Sequence, residues 1–332
     1  MTTIGFLLVP QFSMIAFTSA IEPLRLANRA SGRALYAWRI LSQTGEPVPA
    51  SNGVSVTVDQ RLSAAQDIDI VLVCAGIDVQ AFDHRETIAT LRRMSSFGSA
   101  LGALCTGTYV LAKGGLLDGY RCTIHWENHA GLTAAFPELQ VSQELYEIDR
   151  NRMTCAGGTA ALDMMLSVIA RDHGPALAAQ ASDQLIHHRI RNANEFQRMD
   201  LRQRLLVAHP KLLASVALME RTLEQPLTCS EIARQVGLSS RQLERLFLKY
   251  LKLSPAQHYL DLRLEQARHL LRQTSLPVLS VALSFGFVSA SHFSDRYSSH
   301  FGYTPSAERS LRTPASNAPS VAPATRKAMA PG

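Results

Sequence analysis

Short apolar runs separated by helical patterns mark the first part of the chain. The runs are residues 4–9 (IGFLLV), 69–75 (DIVLVCA) and 100–104 (ALGAL), and they are rich in residues that favour strands. Strands that are apolar along their whole length are buried on both faces, as in a parallel sheet with helices on each side. The pattern therefore predicts an α/β parallel-sheet sandwich.

The last hundred residues contain one pattern of apolar positions twice, in residues 229–256 and again in residues 278–306. Five positions of the first copy recur 49 or 50 residues later, in the pairs Ala233 and Ala282, Gly237 and Gly286, Leu243 and Phe293, Phe247 and Tyr297, and Pro255 and Pro305. Each copy predicts a short helix, a turn at the glycine and a second helix, which is the pattern of a helix-turn-helix. An ordinary helical bundle with a charged outer face is the alternative, and the recurrence in register favours a double helix-turn-helix.

The second helix of each copy is amphipathic. Its predicted inward positions are Leu243, Leu246, Phe247 and Tyr250 in the first copy and Phe293 and Tyr297 in the second. Polar side chains that can contact base edges or phosphates are left on the outer face. These predicted DNA-binding residues are Ser240, Arg241, Gln242, Arg245, Lys249, Ser291, His292 and Arg296.

Residues 254–274, between the two copies, predict one helix. Ser254 and Pro255 suit its first positions, and Leu264 and Leu271 belong to its buried stripe. A helix of about twenty residues is near 30 Å long. It would hold the two outer faces about one turn of DNA apart.

The length of 332 residues favours two domains, and the net charge of +6 is unevenly distributed between them. Residues 209–313 hold 13 Lys and Arg against 8 Asp and Glu, whereas residues 1–208 hold 18 against 19. The basic excess therefore lies on the predicted DNA-binding part, as phosphate contacts require. The nearly neutral first part favours a small molecule or a protein as its partner.

Composition also sets the expected boundaries. A ligand-sensing and dimerising domain is predicted over residues 1–191, a polar linker over 192–208, and a DNA-binding domain over 209–312. The Pro-, Ala- and Ser-rich stretch 313–332 is predicted to be a disordered tail.

The five cysteines are odd in number and lack the spacing of metal ligands, so we predict no metal and no cofactor. No signal peptide opens the chain, and no apolar run reaches 18 residues. These features predict a protein of the reducing cytoplasm without a membrane partner.

The third apolar run leads directly into the small-residue turn Leu104-Cys105-Thr106-Gly107, which is followed by a helical pattern. This arrangement resembles a nucleophile elbow and places Cys105 beside the positive end of a helix dipole. A thiol at this position could have a lowered pKa and be reactive. For Cys105 we favour a role in lining a pocket over both catalysis and inertness. Cys74, Cys122 and Cys155 are expected to be inert and buried.

The C-terminal part, about residues 209–312, resembles the AraC/XylS family of transcriptional regulators. The most specific stretch is GF-x-S-x-SHFS-x-x-Y-x-x-x-FG-x-TP in the second copy. Members of the family usually carry a basic residue after SHFS, where this chain has Asp295. A carboxylate repels phosphates, so the second copy is expected either to bind DNA more weakly or to contact a cytosine amino group.

Residues 4–170 resemble the DJ-1/PfpI branch of the class I glutamine amidotransferase-like fold. The matching residues are Glu22 in IEPLRLAN, Cys105 in LCTGTYVLAKGGLLDG, His125 and Trp126 in TIHWE, and the stretch CAGGTAALDMML. With both parts together the chain resembles the GlxA-type AraC regulators. Phrases such as EPLRLANR and IDRNRMTCAGGTAALDMML look most like the regulators of glycine betaine and carnitine catabolism.

The resemblance includes isocyanide hydratases, so an enzyme is the rival interpretation. Hydratase-like members carry an Asp six residues before the position of Glu22, where this chain has Ala16, and peptidase-like members carry a His where it has Thr106. Because a nucleophilic cysteine needs an acid or base against it, we predict that the domain is not an enzyme. A Cys-dependent hydratase or hydrolase fused to a DNA-binding domain remains the alternative.

The predicted ligand site consists of Glu22, Cys105, Thr106, His125 and Trp126. Tryptophan offers the best face for a quaternary ammonium group, and Glu22 offers a compensating charge. The combination suits a betaine- or carnitine-like ligand and also a guanidinium or an amine, as in arginine. His125 and Trp126 could instead be core residues, and Arg25 is expected in a surface salt bridge with Glu22 rather than on a ligand carboxylate.

We therefore expect a sequence-specific DNA-binding transcriptional regulator that responds to a small metabolite. The resemblance implies a homodimer that activates a catabolic operon, with promoter DNA, the effector and RNA polymerase as partners. A DNA-binding protein without a ligand is a third interpretation, which the size of the first domain makes less favourable.

Overall fold

The computed structural model describes residues 1–310, so the predicted tail 313–332 lies outside the described residues. An α/β unit is followed by an all-helical unit, as the apolar patterns predict. The strands are β1 Thr2–Leu8, β2 Tyr36–Ser42, β3 Val48–Pro49, β4 Ser55–Val56, β5 Gln60–Arg61, β6 Ile70–Cys74, β7 Ala100–Leu104, β8 Arg121–Thr123, β9 Gln140–Ser142, β10 Tyr146–Asp149 and β11 Arg152–Cys155.

Seven strands form one sheet in the order β10-β11-β7-β6-β1-β2-β5. All neighbours in it are parallel except the edge pair β10 and β11. The three apolar runs of the sequence form the central strands β1, β6 and β7. Their carboxyl ends meet at one edge of the sheet, which is where loops in such folds carry binding sites.

Helices cover both faces of this sheet. They are α1 Met14–Ser31, α2 Arg85–Ser96, α3 Gly107–Lys113, α4 His129–Ala135, α5 Ala160–His173 and α6 Pro175–Gln184. Alternate residues of β1 enter two separate cores: Phe6 packs with α1 and α5 on one face, and Leu7 packs with α2 and α3 on the other. Burial on both faces explains why the strands are apolar without alternation.

The helical unit contains α7 Leu201–Leu205, α8 Pro210–Arg221, α9 Cys229–Gln235, α10 Ser240–Tyr250, α11 Pro255–Gln273, α12 Val278–Ser284, α13 Ala290–Phe301 and α14 Pro305–Ser310. It has two small cores, and α11 contributes to both. Tyr259 near the start of α11 packs with α8, α9 and α10, whereas Leu264 and Leu271 further along pack with α12 and α13. The connector helix is therefore shared by both helix-turn-helix motifs.

A buried carboxylate, that of Glu308, anchors the last helix, α14, to the rest of the helical unit. The Glu308 side chain is fully buried in α14 and accepts a hydrogen bond of 2.6 Å from the Tyr297 hydroxyl. Arg268 and Arg272 of α11 are its ion-pair partners. A buried carboxylate needs such partners to offset its lost hydration, and here they tie α14 to α11 and α13.

The segment between the two units is bound to the first of them. The fully buried Asp163 carboxylate accepts hydrogen bonds from the backbone N–H of Arg191 at 2.8 Å and from its guanidinium. The amide of Gln197 donates to Thr123 Oγ1 and to the carbonyl oxygens of Ile124 and Glu144. The first part of the predicted linker 192–208 is therefore bound to the surface of the first unit.

None of the helices in residues 1–310 is long and apolar enough to cross a membrane. Within the same residues no three His, Cys, Asp or Glu side chains are grouped as metal ligands.

Candidate functional site

Cys105 occupies the turn between β7 and α3, with φ at +58°. Its backbone N–H donates to the carbonyl oxygen of Cys155 on the neighbouring strand β11. The next loop crosses directly against it, and a Cβ atom at Gly157 would lie 2.6 Å from Cys105 Cβ. Only glycine fits at that crossing. The elbow geometry expected from the sequence is therefore present.

The electrostatics of the elbow differ from the expectation. Burial raises the pKa of the Cys105 thiol to about 12, against a smaller lowering by the backbone N–H of Thr106. Cys155 and the Glu127 carboxylate raise this pKa further. The possibility of a lowered thiol pKa is therefore wrong, because α3 has only seven residues and its dipole does not offset the burial of the thiol.

The other residues predicted around the thiol have their own partners. The buried Thr106 hydroxyl donates to the carbonyl oxygen of Gly76 at 2.6 Å. Ala16 belongs to the first turn of α1 and packs in the apolar core. Glu22 forms a salt bridge of 2.5 Å with Arg25, and both side chains are about half exposed. The surface pairing expected for Arg25 is what the structure contains, and Glu22 is engaged in it.

His125 and Trp126 lie in the loop after β8, where residues 126–128 form a 3₁₀ turn. The Nδ1 atom of His125 accepts from the backbone N–H of Glu127 at 3.4 Å, and its ring lies 5.6 Å from that of Trp126. Burial lowers the pKa of His125, although the nearby Glu127 carboxylate opposes this effect. Glu127, which is not among the predicted ligand-site residues, supplies the carboxylate of this turn.

The indole of Trp126 lies between the two units. The guanidinium carbon of Arg198 lies 4.5 Å from its ring centroid, and the His269 ring lies nearly perpendicular to the indole with its centroid 5.9 Å away. Gln273, one turn further along α11, donates from Nε2 to the carbonyl oxygen of Glu127 at 2.6 Å. Arg198, His269 and Gln273 are not among the predicted site residues, because they belong to the predicted linker and to the predicted DNA-binding domain.

The helix-turn-helix motifs have the predicted turns. Gly237 and Gly286 have φ of +69° and +70°. The residue after each glycine donates its N–H to the carbonyl oxygen five positions earlier, Leu238 to Ala233 at 2.8 Å and Phe287 to Ala282 at 3.0 Å. This bond closes a Schellman-type helix end, which requires the left-handed conformation.

The predicted DNA-binding residues lie on one accessible face of each second helix. Ser240, Arg241, Gln242, Arg245 and Lys249 are exposed on α10, and Ser291, His292 and Arg296 are exposed on α13. Gln242 also accepts the N–H of Ser239 in a capping box, so its carbonyl oxygen holds the start of α10. Asp295 is exposed beside Arg296.

One predicted core position is wrong. Leu243 and Phe247 are fully buried, but Tyr250 is 37% exposed. It is the last residue of α10, where the chain turns away, and its ring packs on the surface against His209 at 5.6 Å. In the second copy Phe293 and Tyr297 are buried as predicted.

Two family models match the sequence: the DJ-1/PfpI family over residues 3–171 and a helix-turn-helix domain over residues 232–310. The HTH-type transcriptional regulator GbdR of Pseudomonas aeruginosa is 48% identical over 307 residues, or 92% of this chain and 84% of GbdR. The regulator CdhR of the same species is 46% identical over 95% of this chain and 94% of its own length. A solved AraC family transcriptional regulator from Pseudomonas putida matches 56% of this chain over its whole length, with 28% identity and a TM-score of 0.53.

Proposed function

Since the chain belongs to the DJ-1/PfpI family and is a DNA-binding HTH-type transcriptional regulator with an AraC-type domain, we propose that it activates a catabolic operon in response to a cationic metabolite. The first unit binds the effector and forms a homodimer. The second unit binds promoter DNA, and the bound regulator contacts RNA polymerase. Residues 1–191, 192–208 and 209–312 are the sensing domain, the linker and the DNA-binding domain of this proposal.

The observation that carries the DNA-binding part is the pair of exposed polar faces on α10 and α13, each supported by its own core and joined by α11. A helix of 19 residues is about 28 Å long, which suits two neighbouring segments of the major groove. Arginines in such positions form bidentate contacts with guanine.

The effector part rests on Trp126. Its ring already lies against one cation of the chain, Arg198, beside the carboxylate of Glu127. An aromatic face with an acid nearby favours a cationic ligand, with a methylated ammonium as the best match. We propose His125 and Trp126 as effector contacts with Glu127 as the compensating acid in place of Glu22, and Cys105 and Thr106 as the wall behind them.

We further propose that the first unit has no catalytic activity. A thiol whose pKa is raised to about 12 is protonated at neutral pH, and the thiolate is the form that attacks carbon. The position of the hydratase-type acid is held by Ala16 in the core. An acidic residue in place of Ala16 would favour the interpretation as a Cys-dependent hydratase.

A binding experiment tests the effector class. Glycine betaine, dimethylglycine, carnitine and arginine are screened by thermal shift, and the best is titrated calorimetrically into the parent and into Trp126→Leu. A desolvated cation–π contact contributes about 2 kcal/mol. The Trp126→Leu substitution should therefore weaken effector binding roughly thirtyfold. Binding of promoter DNA by the free protein should change little.

The matched control is Trp38→Phe, which alters the second tryptophan of the chain, in strand β2. It should leave effector affinity unchanged. An uncharged preferred effector, or equal affinity in Trp126→Leu, would contradict the proposed site.

A further inference from the structure

The face of Trp126 that suits a cationic effector is occupied by the chain itself. The Arg198 guanidinium carbon lies 4.5 Å from the ring centroid, within the range of a cation–π contact. A free cation that binds this face has to take the place of that guanidinium.

Arg198 is held from both units of the molecule. It follows Gln197, whose amide nitrogen lies within hydrogen-bond distance of three oxygen atoms of the first unit. Its Nη1 lies 3.6 Å from Glu220 on α8 of the second unit, and Glu220 also binds Arg204 at 2.9 Å. The side chain of Arg198 therefore links Trp126 to the DNA-binding unit.

The same turn of the first unit contacts α11. The His269 ring packs nearly perpendicular to that of Trp126, and Gln273 donates to the Glu127 carbonyl oxygen. Gly131 of α4 makes room for this contact, since a Cβ atom there would lie 2.7 Å from Gln273 Oε1 and 3.1 Å from Gln273 Cβ. Because α11 contributes to both helix-turn-helix cores, this contact joins the first unit to the helix that supports both DNA-binding faces.

We propose that Arg198 is a built-in competitor for the cation-binding face of Trp126. A cationic effector binds by displacing it, and the displacement loosens the contact of the first unit with α8 and α11. The inference rests on the proposed function, because it needs a cation at Trp126. The effector then favours the released arrangement, and its apparent affinity equals its intrinsic affinity multiplied by the fraction of molecules in which the ring is free of Arg198.

The competition is tested in full-length protein carrying Trp38→Phe, which leaves Trp126 as the only tryptophan. Tetramethylammonium chloride is the probe, and its effect on Trp126 emission is compared with that of equal sodium chloride. Arg198→Ala should lower the half-saturating concentration between about three- and thirtyfold, the range set by exposed and desolvated cation–π contacts. Arg198→Lys keeps a positive charge and should fall between the parent and Arg198→Ala.

The loosening is tested without any ligand, by hydrogen exchange of residues 185–209 and of α11. Arg198→Ala, Gln273→Ala and the wedge Gly131→Leu should each increase exchange at the contact. Arg202→Ala is the matched control, because Arg202 is an exposed arginine four residues further along. It should change neither exchange nor the half-saturating concentration. If Arg198→Ala does not fold, Arg198→Gln keeps most of the length without the charge.

The outcomes separate the two proposals. Tighter tetramethylammonium binding in Arg198→Ala, together with faster exchange, supports the competitor. Equal half-saturation in parent and Arg198→Ala overturns it while leaving the cation site intact. If neither protein responds to tetramethylammonium and Trp126→Leu also binds the effector normally, the cationic-effector proposal has failed, and the competitor fails with it.

Discussion

At Cys105 the backbone holds a left-handed conformation, which costs a non-glycine residue about 1–2 kcal/mol. In an enzyme such strain presents a nucleophile, but here the thiol is buried and its pKa is raised to about 12. The strained turn instead brings the β7–α3 junction against Gly157. The sequence predicted the turn, because small residues between a strand and a helix are a local signal. The thiol's pKa depends on tertiary burial and was not predictable in the same way.

Replacing Cys105 by Ser should leave promoter binding intact and effector affinity within about threefold, because no thiolate contributes at neutral pH. The hydroxyl is nearly the size of the thiol, so the cost in stability should follow small core substitutions, about 1 kcal/mol. Calorimetric titration of the effector and a promoter-binding assay measure both effects. Loss of induction in a folded Cys105→Ser protein, with turnover of a substrate by the parent, would restore the enzyme interpretation.

The glycines of the two turns should differ in their tolerance of a side chain. Gly237→Ala meets only the flexible end of Lys211, so its cost should be that of the left-handed conformation, about 1–2 kcal/mol. Gly286→Ala places Cβ 2.3 Å from the Pro226 ring, and overpacking adds about 1–3 kcal/mol. Urea unfolding of the two full-length variants compares them. Equal costs would mean that the Pro226 loop yields freely.

At the scale of elements, helix ends were predicted well where capping residues mark them. The helix expected over 254–274 is Pro255–Gln273, with Ser254 accepting the N–H of Gln257 as N-cap. Periodicity failed at the end of α10, where Tyr250 continues the apolar stripe but the helix stops. A stripe predicts burial only where another element covers it.

The polar faces of α10 and α13 should contribute unequally to DNA binding. Arg241→Ala and Arg245→Ala should each weaken specific promoter binding by about 1–3 kcal/mol if they lose a bidentate base contact. Asp295→Arg should tighten binding and make it less specific, because an exposed carboxylate beside Arg296 repels phosphates. Fluorescence anisotropy at two salt concentrations measures these changes, with Arg202→Ala as the control. Weaker binding by Asp295→Arg would show that the carboxylate contacts a base.

For the whole molecule, the arrangement of the two units does not follow from the sequence pattern. Gln273 and Glu127 are 146 positions apart and join units that were assigned separately. The residue type alone predicts that Trp126 can bind a cation, because the indole ring has the same chemistry in any fold. Its neighbours His269 and Arg198 depend on tertiary packing. Charge and periodicity describe each unit alone, and the contact between them depends on shape.

The contact between the units should weaken as the pH falls below about 6.5, the ordinary pKa of histidine. Burial is the largest influence on both His125 and His269 and lowers both pKa values, and the nearby His269 ring lowers the pKa of His125 further. Glu127 and Glu265 oppose the shift, while Arg268 and Arg272 reinforce it at His269. A histidine whose pKa is lowered by docking takes up a proton more readily when undocked. The docked state therefore loses stability as the pH falls and keeps it above the ordinary pKa.

Hydrogen exchange of α11 and residues 185–209, from pH 8 to 5.5 and corrected for intrinsic rates, should show progressive opening of the contact. His269→Gln removes one titrating ring and should make this dependence shallower. Tighter docking at low pH would mean that the ion pair of His125 with Glu127, at 3.9 Å, outweighs burial.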